Sequence, residues 1–189
     1  MAKAEYRNAI RSRKMIKAAL ADLLQEKPLD KITVTDVVNR ADINRGTFYT
    51  HYSDINDVIR SLIEETFSKI KNALTGIELQ QVDLPNRLLS QIELILDEDL
   101  EFYRKVMTSS AAPLMQEQLI RVVVDFLLKQ ETATQNMDPL NLLLTIRFCA
   151  GGLSVLYKDW FDGKLPISLS QLTKEASSML QSVIQSHLF

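Results

Sequence analysis

The sequence predicts an all-α protein, on two observations. Apolar residues recur at helical spacing from one end of the 189-residue chain to the other, and no segment alternates apolar and polar residues for long enough to make a strand. Glycine is scarce, with five in the chain, and prolines and capping residues mark where helices should begin and end. We expect about nine helices, with no internal repeat and no low-complexity tract.

The first two predicted helices are amphipathic. A leucine-rich stripe that begins at Ile16 predicts a helix ending near Lys27 and Pro28. Valines at positions 34, 37 and 38 then predict a shorter helix over residues 33 to 41. Thr33 is its expected N-cap, and Asp36, three residues later, approximates a capping box.

The third predicted helix comes from the stretch NRGTFYTHYSD, residues 44 to 54. Asn44 is its natural N-cap, and Phe48 and Tyr52, four residues apart, should pack on the valines of the preceding helix. That arrangement leaves one open side, which carries Arg45, Gly46, Thr47, Tyr49, Thr50 and His51.

The rest of the chain is predicted to be long helices separated by proline and glycine signals. A stripe from Ile55 predicts a fourth helix that ends at Gly76. Prolines at positions 85, 113 and 139 each open a leucine-rich segment, a place where the missing N–H costs nothing, and another helix is expected to begin at Asp99. The last two helices should cover residues 139 to about 161, ended by Gly163, and residues 168 to about 186, opened by Ser168.

Charge is distributed unevenly although the net charge is only −2. Residues 1 to 60 carry a net charge of +3 and residues 61 to 189 a net charge of −5, and six of the first 17 residues are basic against one acidic. Such an end attracts polyanions. The lone Cys149 excludes disulfide or zinc frameworks, the N-terminus lacks a signal-peptide core, and Arg147 interrupts the longest apolar stretch. We therefore expect a soluble cytoplasmic protein with no membrane partner.

The second and third helices, joined by a tight link at Asp42 and Ile43, have the proportions of a helix-turn-helix. Helix N-termini and hydroxyls suit phosphates, arginine suits the guanine edge, and a threonine methyl suits the methyl of thymine. The predicted DNA-binding residues are Lys14, Thr33, Thr35, Arg45, Gly46, Thr47, Tyr49, Thr50 and His51. Simpler roles stay open: caps for the threonines at 33 and 35, packing for the tyrosine, and a solvated helix face for the lysine.

The string TVTDVVNRADINRGTFYTHYSDIN, residues 33 to 56, resembles the DNA-binding domain of the tetracycline-repressor (TetR) family of bacterial transcriptional regulators. The resemblance covers residues 8 to 65, and the helix spacing, the turn and the aromatic positions all agree with it. It implies a DNA-binding domain over residues 1 to 53 and a ligand-sensing and dimerisation domain over residues 54 to 189. One position departs: many members carry a phosphate-binding lysine where this chain has Ile55, so that contact is in doubt.

The segment AGGLSVLYKDWFDGKLP resembles a C-terminal domain subtype common among Gram-positive members of the family, glycerone-kinase regulators included. The resemblance implies a homodimer in which residues 139 to 162 and 168 to 186 form the interface. Two adjacent glycines inside a helix cost roughly 1 kcal/mol each against alanine, which favours close helix packing there, although a kink is the alternative. The predicted interface residues are Gly151, Gly152, Trp160, Leu172, Ala176, Met179 and Val183.

By the same resemblance, a middle bundle holds a small effector whose binding relieves repression. The predicted pocket residues are Phe102, Tyr103, Met107, Phe126, Arg147, Phe148 and Tyr157. The ordinary meaning of such apolar stripes is core packing, since spacing alone cannot reveal a cavity. An alternative kept open is a regulator or co-activator controlled by a protein partner, without a small-molecule pocket.

An enzyme is disfavoured. The chain has no glycine-rich phosphate loop and no HExxH motif, and its two histidines, His51 and His187, do not support a catalytic triad. The acidic run DEDLE at residues 97 to 101 is explained by a helix boundary with acidic groups near the next N-terminus. We expect no cofactor and no metal. The prediction is a regulator that binds a near-palindromic DNA operator as a homodimer.

Overall fold

The computed structural model describes residues 2–75, 83–128 and 138–187. Over these ranges it contains nine α-helices, one 3-10 turn and no strand, which confirms the all-α prediction. The elements are α1 (Ala2–Glu26), the 3-10 turn (Leu29–Lys31), α2 (Val34–Arg40), α3 (Arg45–His51), α4 (Ile55–Leu74), α5 (Leu84–Asp97), α6 (Leu100–Met107), α7 (Ala112–Leu128), α8 (Pro139–Phe161) and α9 (Leu169–His187). The predicted stop of the fourth helix at Gly76 lies outside the described residues.

The chain forms two compact units. The first comprises Met1–Glu65 with Glu101–Pro113, and the second comprises Thr66–Leu100 with Leu114–Phe189. The first unit continues beyond residue 53, because the first turns of α4 and the residues that follow α6 contribute to its core. Val58 and Ala111 are both fully buried there.

The core of the first unit is built from the inward stripes of four helices. Ile16 and Leu20 of α1, Val37 of α2, Phe48 of α3 and Ile59 of α4 are each at most 1% exposed. These residues are those whose helical spacing predicted an inward face. The burial of these side chains holds α2 and α3 against the same hydrophobic core.

The turn between α2 and α3 is a Schellman-type helix end. The N–H of Ile43 donates to the carbonyl of Val38 at 3.0 Å, and Asp42 adopts a left-handed conformation with φ of 52°. Glycine usually occupies this position because it lacks a Cβ, and aspartate is one of the residues that tolerate it. The short link predicted at residues 42 and 43 therefore has a definite geometry.

The second unit packs α9 along α5 and against α8. Trp160 is buried near the end of α8 and donates its indole N–H to the carbonyl of Ile167 at 2.8 Å. Gly163, with φ of 75°, ends α8, and the N–H of Lys164 donates to the carbonyl of Asp159 at 2.9 Å. By length and composition α8 also meets the criterion for a membrane-spanning helix, a test that core helices of soluble proteins pass as well.

Candidate nucleic-acid interface

The start of α3 is held by its N-cap. The side-chain oxygen of Asn44 accepts a hydrogen bond from the Thr47 N–H at 2.7 Å and from the Thr47 hydroxyl at 3.1 Å. A Cβ at Gly46 would lie 3.1 Å from that same oxygen. The glycine therefore leaves room for the cap, a local reason for its presence beside any contact with DNA.

Adjacent aromatic residues on α3 have opposite environments. Phe48 is 0% exposed and Tyr52 is 4% exposed, whereas Tyr49 is 56% exposed. The rings of Phe48 and Tyr49 make an edge-to-face contact with centroids 5.5 Å apart. The inward pair anchors the helix, and the contact steadies a tyrosine that faces solvent.

The open face of α3 is the one that the spacing predicted. Arg45, Gly46, Tyr49 and Thr50 are exposed, while Thr47 and His51 are half-buried. The hydroxyl of Thr50 donates to the carbonyl of Gly46 at 2.9 Å, which leaves its methyl group and an oxygen lone pair for a further contact.

The N-terminus of α2 is capped as predicted. The Thr33 N–H donates to the Asp36 carboxylate at 2.7 Å, and the Asp36 N–H donates to the Thr33 hydroxyl at 3.2 Å, so the capping box is confirmed. Lys27 also hydrogen-bonds this carboxylate, at 2.7 Å. The contacts with Lys27 and Thr33 hold the pKa of Asp36 far below its usual range.

The helix-turn-helix contains one side-chain contact that the sequence did not predict. The Arg45 guanidinium donates through Nη2 to the hydroxyl oxygen of Thr35 at 2.5 Å. Thr35 is exposed in the first turn of α2, and Arg45 is exposed at the start of α3. Sequence spacing gave no signal for this pair because ten residues and a turn separate them.

The basic first helix places charge beside α3. Burial lowers the pKa of His51, and the positive charge of Arg13 on α1 lowers it further, so the imidazole is neutral at pH 7. Lys14 is exposed, as a phosphate contact requires, whereas Lys17 is only 8% exposed and forms an ion pair with Glu65. Lys14 is thus available to an external partner, and Lys17 is held within the unit.

Ile55, the position that departs from the family pattern, is half-buried at the start of α4 and packs against the core of the first unit. It also lines a cleft of about 420 Å³ with Leu29, Ile32 and Ser110 among its neighbours. The side chain thus serves apolar packing, and the phosphate contact that a lysine would supply has no counterpart at this residue.

The residues predicted to line an effector pocket fall in both units. In the first unit, Tyr103 is buried, while Met107 is half-buried and Phe102 packs against the unit's core. Arg147 and Phe148 of the second unit are exposed.

Tyr157 is buried in the second unit, and burial raises its pKa to about 12. The side chain of Phe126 lies outside the described residues. Over the ranges that the structure covers, no group of three or more His, Cys, Asp or Glu side chains is placed to hold a metal ion.

The predicted dimer residues divide into buried and open sets. Trp160, Leu172 and Ala176 are buried within the second unit, whereas Gly152 and Met179 are exposed, and Gly151 and Val183 are half-buried. A Cβ at Gly151 or Gly152 would meet no atom within 4 Å. Sequence reasoning did not assign to the interface four exposed apolar side chains that share a face of α8: Leu140, Leu144, Phe148 and Val155, which are 58–72% exposed.

Comparisons with known proteins match the N-terminal part of the chain to one family. Residues 16–62 match the family described as bacterial regulatory proteins, tetR family. The chain is 36% identical over 69 residues to the HTH-type transcriptional regulator YvdT of Bacillus subtilis, over 34% of this chain and 35% of that protein. It is 29% identical over 100 residues to DhaS of Lactococcus lactis, an HTH-type dhaKLM operon transcriptional activator, over 53% of this chain and 51% of that one.

The matched stretches cover 35% and 51% of the lengths of these two curated relatives. A solved structure of the dihydroxyacetone kinase operon activator DhaS superposes with a TM-score of 0.62 at 19% identity, and covers 94% of this chain and 98% of that one. At that identity, the structural likeness supports the fold alone.

Proposed function

We propose that the chain is a TetR-family transcriptional regulator that binds operator DNA through α3, because residues 16–62 match that family. The observation that carries the proposal is the pair of faces on α3. Phe48 and Tyr52 fix the helix to the core, and Arg45 and Tyr49 are left exposed. The matched family is one of regulators and not of enzymes. We infer a cytoplasmic location, because a bacterial operator lies in that compartment.

In the proposed binding mode, α3 lies in the major groove with Arg45 at a guanine edge. Tyr49 contacts the DNA backbone, and the methyl group of Thr50 contacts the methyl group of a thymine. The capped start of α2, at Thr33, lies beside a phosphate, and the exposed Lys14 adds a backbone contact. Burial and Arg13 lower the pKa of His51 in the free chain, and a ring N–H of its imidazole can donate to a phosphate. Affinity should fall steeply with salt, since phosphate contacts release counterions.

Genome-fragment selection on the purified protein tests this function. Enrichment of a near-palindrome that binds more weakly as salt rises is expected. A folded protein that enriches no sequence, at low salt as well as at physiological salt, contradicts it.

We also propose that the protein acts as a homodimer joined along α8 and α9. The apolar face of α8, formed by Leu140, Leu144, Phe148 and Val155, is exposed in the single chain, and Met179 of α9 is 59% exposed. An uncovered apolar face of this kind marks an interaction surface. The open space around Gly151 and Gly152 allows the backbone of a second helix to approach closely. Members of the family act as dimers, in support of this interface.

Two matched variants test the interface. Leu144 on α8 and Leu94 on α5 are 58% and 59% exposed, so a glutamate at either position has a similar direct effect on the second unit. We expect Leu144→Glu to convert a dimer to a monomer in sedimentation analysis and Leu94→Glu to leave the dimer intact. A wild-type monomer, or equal effects of the two changes, contradicts the proposed interface.

For regulation, we propose repression relieved by a small-molecule effector, which acts only through different affinities for two conformations. The second candidate is activation, with or without a protein partner, and the sequence similarity to DhaS, described as an activator, favours it. A reporter driven by the selected operator distinguishes them. Higher expression after deletion of the gene supports repression, and lower expression supports activation.

A further inference from the structure

We propose that Thr35 sets the sequence specificity of the interface by orienting the guanidinium of Arg45. Thr35 is then a positioning residue, which acts on the DNA through Arg45, and this role replaces its predicted direct contact with DNA. The inference rests on the proposed function, namely operator binding by α3. It assigns the selectivity for one base pair to a contact between the two helices of the helix-turn-helix.

The geometry of the pair supports this role. Nη2 of Arg45 donates to the Thr35 hydroxyl oxygen at 2.5 Å, which joins the first turn of α2 to the first residue of α3. Both helices are fixed by their own caps, Thr33 and Asn44, so the hydroxyl is held in a constant place. A single hydrogen bond from Nη2 leaves most of the guanidinium's five N–H groups available, and the O6 and N7 acceptors of guanine require two of them.

The chemistry of Arg45 differs from that of its neighbour Arg40. Arg40 makes hydrogen bonds to both carboxylate oxygens of Glu26, at 2.7 and 2.8 Å, so its charge is neutralised within the chain. Arg45 contacts a neutral hydroxyl, and the described part of the chain provides no carboxylate partner for it. Its positive charge is therefore retained for an external acceptor while its direction is restrained.

Restraint matters because a free arginine side chain has many rotamers, which must be ordered when it binds a base edge. A guanidinium that is already aligned loses less freedom on binding and discriminates better against bases that do not offer two acceptors. Without Thr35, Arg45 is expected to contact phosphates as well as bases, so that affinity for non-operator DNA is largely kept while preference for the operator falls.

The test uses binding-site selection with a randomised half-site, followed by equilibrium binding of the preferred site and its single-base variants. The variants are Thr35→Val, which removes the hydroxyl at nearly constant shape, Thr35→Ser, which keeps it, Arg45→Ala, and the double change of Thr35→Val with Arg45→Ala. Thermal unfolding of each variant confirms that the fold is retained.

We expect Thr35→Val to reduce discrimination roughly fivefold at one base position, the same position that Arg45→Ala affects, as the loss of one hydrogen bond implies. Thr35→Ser should keep the wild-type preference. In the Arg45→Ala background, Thr35→Val should have no further effect, because the two residues act as a unit.

Two results would overturn the inference. Uniform weakening on all sequences with a shallower salt dependence, additive with Arg45→Ala, assigns Thr35 to a phosphate contact. An unchanged preference in Thr35→Val shows that Arg45 needs no support. A wild-type protein that selects no site instead refutes the proposed function, so the two failures are distinguishable.

Discussion

Substitution of Phe48 and of its neighbour Tyr49 by alanine should separate stability from binding. Phe48 is 0% exposed in the core of the first unit, and removal of a buried phenylalanine costs about 3–5 kcal/mol. Tyr49 is 56% exposed, so its removal mainly loses the edge-to-face contact with Phe48, worth about 0.5–1.5 kcal/mol. The two free energies of unfolding should therefore differ by about 1.5–4.5 kcal/mol.

The assay must report on the first unit. The chain's single tryptophan, Trp160, lies in the second unit, so its fluorescence reports on the second unit. Hydrogen exchange of the α3 backbone amides follows the first unit directly. Far-UV circular dichroism during urea unfolding is measured alongside it. Phe48→Ala should collapse the protection of these amides, and Tyr49→Ala should leave it nearly unchanged.

Equal loss of protection in the two variants would refute the assignment of faces on α3. It would mean that Tyr49 contributes to packing as much as Phe48 does. A stable Phe48→Ala variant would refute it equally, because a fully buried aromatic side chain cannot be removed from a packed core without cost.

Three further changes test local features of the same unit. Asn44→Ala should destabilise α3 by about 1 kcal/mol, since the Thr47 N–H loses its cap, and thermal unfolding measures the loss. At Asp42, with φ of 52°, the free energy of unfolding should fall in the order glycine, aspartate, alanine, by a few tenths to about 1 kcal/mol per step, and thermal unfolding measures it. The lowered pKa of His51 means that the unfolded chain binds a proton first, so stability should be lost as pH falls below 6.5. His51→Gln should reduce that loss in melts at pH 7.5 and 5.5.

The helices and their ends could be predicted because the signals are local. Thr33 and Asn44 as caps and Gly163 as the stop of α8 each depend on residues within one turn of the chain, and all three predictions agree with the structure. The open face of α3 was likewise predictable, since Phe48 and Tyr52 stand four residues apart and define the buried side. Periodicity is sufficient wherever one face of one helix is in question.

Which partner covers an apolar face could not be predicted. Phe148 and Tyr157 both belong to the apolar pattern of α8, yet Phe148 is exposed and Tyr157 is buried, because only the second faces the helices of its own unit. Tyr103 has the spacing of a bundle residue but belongs to the first unit. The contact between Thr35 and Arg45 depends on the turn geometry at Asp42, which spacing does not encode.

Operator binding by matched variants at two salt concentrations tests the central claim most directly. The proteins are the wild type, Arg45→Ala, Tyr49→Ala and the control Leu94→Ala, each verified to be folded, with the DNA recovered by genome-fragment selection. The account predicts roughly tenfold or greater loss of affinity for Arg45→Ala and for Tyr49→Ala, and wild-type affinity for the control. Wild-type affinity in both α3 variants would contradict it, since α3 would then not be the surface that contacts DNA.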